Sequence, residues 1–367
     1  MTIRAAVMPG AGQPVEVRDF AEPNLEPESA LLEVALSEVC GTDVHLLHSR
    51  LAGVPYPIIP GHVSVGRLAK IRGNLRDIEG LPLSEGDAVT FLDVHRTCHA
   101  CWYCLVGKAS TRCPKRKVYG ITYGLEDGLT GGWATHIHLK QGVHCIRLGA
   151  ASFERFMAGG CALPTSLHAT DLAEIRIGDT VLVLGSGPVG LSAVALARMS
   201  GALRVLCIGG PANRLTAAHA IGASDTLDFT TMDPDARAKW VRDRTVGRGA
   251  DVTIEATGAP GAVTDALRAT RDAGRVVVVG QYTDHGDVAL NPHLDLNKKH
   301  LEVRGCWGSD FSHFYRGVQV MADPDRAAPW SAIAPERFGL GDANEALAAV
   351  AEGSVIKAFI EPGRADA

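Results

Sequence analysis

Val181-Leu182-Val183-Leu184-Gly185-Ser186-Gly187-Pro188-Val189-Gly190 is the stretch that decides how this chain is read. A short apolar run with β-branched valines ends in Gly-x-Gly-x-x-Gly, and an amphipathic stretch then runs to Ser200, where Gly201 stops it. The pattern predicts a strand, a tight turn and a helix. The first glycine permits the turn, the second lets backbone approach a pyrophosphate, and the third lets helix pack on strand. Free N–H groups and the positive dipole end of that helix would face the phosphates. Glycine-rich turns are common, and an ordinary turn in a doubly wound sheet has the same spacing. The strand and helix legible on either side favour a dinucleotide site.

Downstream, strand-like runs recur at 205–208, 225–229, 252–256, 275–280 and 301–304. Helical patterns lie between them at 214–221, with Asn213 as the expected cap, and at 261–271. That alternation predicts a parallel sheet. Upstream, residues 1–35 alternate like strands, for example at 3–7 and 30–34, with turn signals at Pro9-Gly10 and Pro23-Asn24. Glycines punctuate short apolar runs as far as about residue 150, so an all-β opening is expected. Near the end, a helix at 343–351 and a strand at 355–360 are expected.

At 367 residues the chain is too long for one ordinary core, which predicts two domains. A formal net charge of −5 leaves no basic footprint, which argues against nucleic acid as the main partner. No apolar signal segment and no long apolar run is present, so a soluble, cytoplasmic protein with no membrane partner is expected. Of nine cysteines, Cys98, Cys101, Cys104 and Cys113 crowd together as metal ligands do. In a reducing compartment they would stay available to a metal. Four thiolates with no place for water make a structural zinc site. The alternatives are a reduced, metal-free loop and substitution of one ligand by His99.

Three further residues are candidates for a second metal. Cys40 stands in Val39-Cys40-Gly41-Thr42-Asp43-Val44-His45, His62 in Pro60-Gly61-His62-Val63, and Cys161 in Gly160-Cys161-Ala162. Singly, such residues in a β-rich domain are usually core or surface. Together they are a Cys₂His set with one coordination position left open.

In their shared order and spacing these stretches resemble the zinc-containing medium-chain alcohol dehydrogenase/reductase family. The likeness also takes in Glu255-Ala256-Thr257-Gly258 and runs over nearly the whole chain. Alcohol dehydrogenase is itself the standard instance of a Cys₂His catalytic zinc, so that agreement is a comparison and not a derivation. The resemblance implies an α/β fold in which a doubly wound Rossmann domain, 163–306, is inserted into a GroES-like β-barrel catalytic domain. The latter would comprise 1–162, with a structural zinc lobe at 96–115, and a return segment at 307–367.

The resemblance also implies chemistry. A zinc on Cys40, His62 and Cys161 would act as a Lewis acid on a substrate oxygen while hydride passes to or from a nicotinamide. Thr42 matches a hydroxyl that bonds that oxygen, and His45 matches the outer member of a proton relay. Read alone, they are a turn residue and a surface histidine. Asp43 matches a carboxylate that orients the ring of His62. Gly185, Gly187, Pro188, Val189, Gly190, Gly209, Arg214 and Thr165 are the expected cofactor-binding positions. The chain departs from the family's pattern at three places. Val63 stands where glutamate is common after Gly-His. The gap before Cys113 is one residue longer than usual, with 109–111 as the place for an insertion. Gly209 stands where an NAD-preferring domain carries an acid for the ribose hydroxyls, which leans the expectation slightly towards NADP. The expected activity is oxidation of a secondary or cyclic alcohol, or reduction of its ketone, by a homodimer or homotetramer. A zinc-independent double-bond reductase and a non-catalytic cofactor-binding protein are the rival readings.

Overall fold

The computed structural model describes residues 1–364. The chain forms two compact units. One contains 162–309 and 328–333; the other contains 1–161, 310–327 and the chain from Ala334.

In the first unit six strands lie parallel. Their spatial order is Asp225–Asp228, Arg204–Gly209, Thr180–Leu184, Ala250–Glu255, Thr270–Val278 and Glu302–Gly305. Numbered along the chain this is 3-2-1-4-5-6, the Rossmann arrangement, with the strand order reversing beside Thr180–Leu184. Val181, Leu182, Val183 and Leu184 are all buried, because helices cover both faces of a parallel sheet. That is why the run reads as continuously apolar. Each such side chain contributes about 1.5–3 kcal/mol by leaving water. The helix Pro188–Met199 follows at once and ends at Ser200, as the spacing predicts.

Two helices differ from expectation in detail. The helix expected from 214 begins earlier, as Ala212–Ile221, with Pro211 at its cap position. Asn213 is therefore inside the first turn, its Oδ1 accepting the Arg214 N–H at 2.9 Å. The helix expected at 261–271 is Pro260–Ala269, since Thr270 already begins a strand. Trp330 is buried in this unit and donates from Nε1 to Ser192 Oγ at 3.1 Å, which explains why 328–333 pack here.

The second unit is built on a seven-stranded sheet in which Ser29–Val39 is the central member. That strand pairs antiparallel with Ser64–Arg72, His136–Leu139 and Lys357–Ile360. Successive side chains of a strand point to opposite faces. Accordingly Leu31 and Val39 join one apolar cluster, while Ala30, Leu32 and Val34 join another. The strand thus forms a wall between two cores. The opening is not all β. A helix, Gly41–Leu47, starts immediately after Val39, and its Leu46 enters the first cluster. Seven residues carrying one buried apolar position give too little periodicity to be read as a helix against β-rich surroundings. Among the described residues, no helix is long and apolar enough to cross a membrane.

Candidate active site

The turn from strand Ser29–Val39 into helix Gly41–Leu47 is made by Cys40. Its backbone is extended, at φ −137°, and its Sγ accepts the Thr42 N–H at 3.4 Å. Asp43 reciprocates, its Oδ2 accepting the Cys40 N–H at 2.9 Å. This is a capping box with sulfur in place of the usual oxygen. Its consequence is positional: Thr42 and His45 lie three apart on one helix, hence on one face. Both are half-buried.

His62 arrives on a loop that leaves little freedom. Gly61 has φ +89°, and a Cβ there would lie 2.5 Å from both Ser37 Oγ and Trp133 Cδ1. Only glycine tolerates that backbone and that crowding. The loop is pinned from above by Trp133 N–H to Pro60 O at 3.0 Å and Gly132 N–H to Gly61 O at 2.7 Å. His62 is buried, with Nε2 3.9 Å from Cys40 Sγ. Cys161 completes the group, and the donor atoms of Cys40, His62 and Cys161 all lie within 4.8 Å of one another.

The electrostatics of this trio suit a soft divalent metal. The hydrogen bond from Cys161, helped by His62, holds the Cys40 thiol well below its ordinary range. That same bond and burial push Cys161 well up. Burial drives the His62 ring towards neutrality, yet the Cys40 thiolate facing it prevails and raises it to about 10. A metal would bind these residues as thiolates and neutral imidazole, displacing the protons they hold, as zinc does on binding cysteine and histidine. Three protein ligands would leave one position for a substrate oxygen. Asp43 is fully buried, and burial pushes its carboxyl well up. Asp43 and His62 act on each other through their charges, yet Asp43 Oδ1 and His62 Nδ1 are both buried without a hydrogen-bond partner, so the expected carboxylate–imidazole bond is not formed here.

The second cysteine group is compact. The sulfurs of Cys98, Cys101, Cys104 and Cys113 lie within 4.8 Å of one another, with Cys101 and Cys104 3.6 Å apart. A tetrahedral Zn–S₄ centre needs sulfurs about 3.8 Å apart. The long gap before Cys113 is taken up by the short turn Ser110–Arg112. His99 stays outside, its Nε2 3.2 Å from Thr97 Oγ1. Backbone N–H of Ala100 leads in lowering Cys98 to about 6, whereas burial pushes Cys104 up to about 11. Four sulfurs at this spacing leave no open position. Replacement of Cys104 by serine is accordingly expected to act through stability. Each kcal/mol shifts Tm by about 2–4 °C in a unit of this size, so even about 3 kcal/mol of lost metal binding lowers Tm by roughly 6–12 °C. Differential scanning calorimetry of the zinc-loaded proteins checks this; equal melting temperatures would remove the structural role.

In the Rossmann unit a cavity of about 530 Å³ opens at the carboxyl ends of the strands. Gly185, Gly187, Gly209 and Arg214 line it, as the fingerprint predicts. Gly185 has φ +106°, and a Cβ at Gly190 would lie 2.0 Å from Gly185 O. Pro188, Val189 and Gly190 form the first turn of the helix, where no side chain caps the free N–H groups. The cradle fits a pyrophosphate. Thr165 is on the separate helix Ala162–Ala173 and is not among the lining residues. Burial lowers Arg214 from the ordinary arginine range. Glu255, fully buried, accepts from Thr257 N–H at 2.7 Å, Thr257 Oγ1 at 2.6 Å and Gly258 N–H at 3.2 Å, which shapes the loop at the switch point.

Sequence reasoning missed Ser186, Phe229 and Arg237 in this lining. Phe229 had a signal, as it ends the third strand-like run. Ser186 had none. Its Oγ accepts the Gly210 N–H at 2.9 Å and lies 3.2 Å from Gly210 O. A Cβ at Gly209 would lie 2.3 Å from Ser186 Oγ and 2.9 Å from the Ser186 backbone N. An acid at 209 and a serine at 186 therefore compete for one place.

Comparison with known proteins gives the same account. The alcohol dehydrogenase GroES-like domain family matches residues 26–149, and the zinc-binding dehydrogenase family matches 188–323. A 5-exo-hydroxycamphor dehydrogenase of Pseudomonas putida is 33% identical over 361 residues, covering 98% of each chain. An erythritol/L-threitol dehydrogenase of Mycolicibacterium smegmatis is 28% identical, covering 92% of this chain and 91% of its own. Among solved structures, an alcohol dehydrogenase from Thermotoga maritima superposes with a TM-score of 0.92 at 32% identity, over 98% of this chain and 99% of that one. A protein from Sinorhizobium meliloti 1021, described as a zinc-binding dehydrogenase bound to NADP, gives 0.84 at 26%, over 99% and 100%. Likeness that extends through both units, together with a Rossmann sheet and two cysteine-rich groups in the family's order, makes this chain a member of the zinc-containing medium-chain alcohol dehydrogenase/reductase family.

Proposed function

We propose that the chain is a zinc-dependent, NAD(P)-linked alcohol dehydrogenase acting on a secondary or cyclic alcohol, or on the corresponding ketone. The observation that carries this reading is the convergence of Cys40, His62 and Cys161 beside the helix that bears Thr42 and His45. When bound, zinc supplies Lewis acidity at a substrate oxygen, and the nicotinamide accepts or returns the hydride. The chain's own residues manage the proton. Thr42 offers a hydroxyl that takes the proton of the substrate alcohol as it hands on its own. His45, one turn away on the same face, can pass that proton to solvent, since imidazole exchanges protons readily near neutral pH. Support for a cyclic secondary alcohol comes from the hydroxycamphor dehydrogenase, and for alcohols more generally from the erythritol/L-threitol enzyme. The protein is expected to purify with about two zinc ions per chain and to oxidise members of an alcohol panel with NAD or NADP. Zinc-free protein that reduces only activated double bonds would overturn the reading, and so would zinc-loaded protein that turns over nothing.

The absence of an acid at Gly209 favours NADP only slightly, since it removes repulsion without adding attraction. The contact with Ser186 alters how this is tested. Gly209→Asp alone would clash with the Ser186 side chain. Ser186→Gly with Gly209→Asp removes that side chain and leaves only the backbone N of residue 186, 2.9 Å from the new Cβ, to give way. That carboxylate would accept from both ribose hydroxyls of NAD and repel the 2′-phosphate of NADP. Each effect is worth about 1–2 kcal/mol, or roughly thirty- to several-hundredfold together in the NAD/NADP ratio of kcat/KM. Steady-state kinetics with both cofactors measures it. An unchanged ratio in the double variant would mean that position 209 does not face the ribose.

A further inference from the structure

Glu38 and Lys357 are both about 1% exposed and form an ion pair in the interior of the second unit, with Lys357 Nζ 2.5 Å from Glu38 Oε1. The strands that carry them pair antiparallel, Phe359 opposite Glu38. Charged side chains are almost never buried unless paired, and pairing rarely repays the desolvation in full. Such a pair calls for an account beyond stability.

The surroundings supply one. The other carboxylate oxygen of Glu38 accepts the Cys161 N–H at 2.7 Å, and Lys357 Nζ also donates to Gly159 O at 3.2 Å. The pair therefore grips both sides of Gly160. That glycine has no room for a side chain: a Cβ would lie 2.1 Å from Glu38 Oε2 and 2.3 Å from Lys357 Nζ. Glu38 also reaches the other two members of the trio through its backbone. It stands two residues before Cys40 in the same strand and turn, Glu38 N–H donates to Val63 O at 3.0 Å beside His62, and Glu38 O accepts Trp133 Nε1 at 3.1 Å. One buried residue thus touches all three segments that bring Cys40, His62 and Cys161 together.

We propose that Glu38, held by Lys357, is the positioning residue that sets Cys161 in place as a metal ligand, through its hydrogen bond to the Cys161 N–H and the grip on the 159–161 turn. The proposal rests on reading Cys40, His62 and Cys161 as a metal site. It predicts that removing the acceptor loosens metal at that site and leaves the four-cysteine site alone.

A matched pair of double variants tests it in the full-length, zinc-loaded protein. Glu38→Leu/Lys357→Met removes both charges together, so no unpaired charge stays buried, and it removes the acceptor. Glu38→Gln/Lys357→Met restores an amide oxygen at the same place. Zinc release to a chromophoric chelator is followed, with Cys40→Ser identifying the phase that belongs to the trio. Glu38→Leu/Lys357→Met is expected to release that zinc about ten- to a hundredfold faster, with the four-cysteine phase unchanged, and the glutamine variant to recover most of the loss. The visible absorption of cobalt-substituted protein should shift in the leucine variant and return in the glutamine variant. Wild-type release rates in both variants would overturn the proposal, as would equal acceleration of both phases. If wild type and Cys40→Ser release zinc identically, it is the metal reading of the trio that fails. Should the leucine variant not fold, amide exchange in zinc-loaded wild type decides: slow exchange at Cys161 supports the proposal, and exchange at the rate of an unprotected amide overturns it.

Discussion

Replacing Cys40 by serine is expected to lower alcohol oxidation by at least about a thousandfold, because Lewis-acid stabilisation worth several kcal/mol is lost and each 1.4 kcal/mol is about a factor of ten. The protein should stay folded. Cys40 caps the helix Gly41–Leu47 by accepting the Thr42 N–H. Serine is among the best residues for that task, so the cap survives while the soft ligand goes. Metal analysis should show zinc per chain falling from about two to about one. Circular dichroism and Tm should stay near wild type, since the four-cysteine site is untouched. Retention of near wild-type kcat/KM with one zinc fewer would remove this trio from the chemistry. Loss of folding would assign Cys40 a structural role instead.

Thr42→Val is expected to cost about a hundredfold or more in kcat, the usual range for a positioned proton-transfer group. Valine keeps the shape and keeps the backbone N–H that donates to Cys40 Sγ at 3.4 Å. Only the hydroxyl is lost. Cofactor dissociation constants, measured by fluorescence quenching, should therefore not move. His45→Gln should be milder, because solvent can replace the outer member of a relay. Its loss should grow as pH falls, where external base is scarce, so the comparison is a full pH–rate profile of both variants. A profile for His45→Gln that parallels wild type would take His45 out of the relay. A Thr42→Val variant that loses cofactor affinity and kcat together would point to displaced packing rather than a missing proton carrier.

Much of the fold was legible because it is written locally. The run Val181–Leu184 and the glycines after it specify strand, turn and helix within a few neighbours, and the structure places Thr180–Leu184 and Pro188–Met199 there. The four-cysteine spacing is equally local, and its sulfurs do converge. The helix Gly41–Leu47 was missed for a physical reason. Its cap is a cysteine rather than an oxygen-bearing residue, so the usual start signal is absent. The expected cap at Asn213 failed in the opposite sense, since Pro211 already begins the helix there and asparagine became an interior residue.

Spacing along the chain, then, determined the βα unit with its glycine turn and the cysteine-rich lobe, while Cys40, His62 and Cys161 became candidate ligands through the resemblance of the stretches that carry them. Only the tertiary structure decided which distant residues share a space. Ser186 against Gly209 and Glu38 paired with Lys357 across 319 residues carry no local signature. A glutamate and a lysine read from sequence belong on the surface, where charges are hydrated at no cost. They are buried here because strand Lys357–Ile360 pairs with Ser29–Val39, and such a register is set by long-range packing. Periodicity reports what a residue does within its own element; what meets it from elsewhere is settled when the elements close on one another.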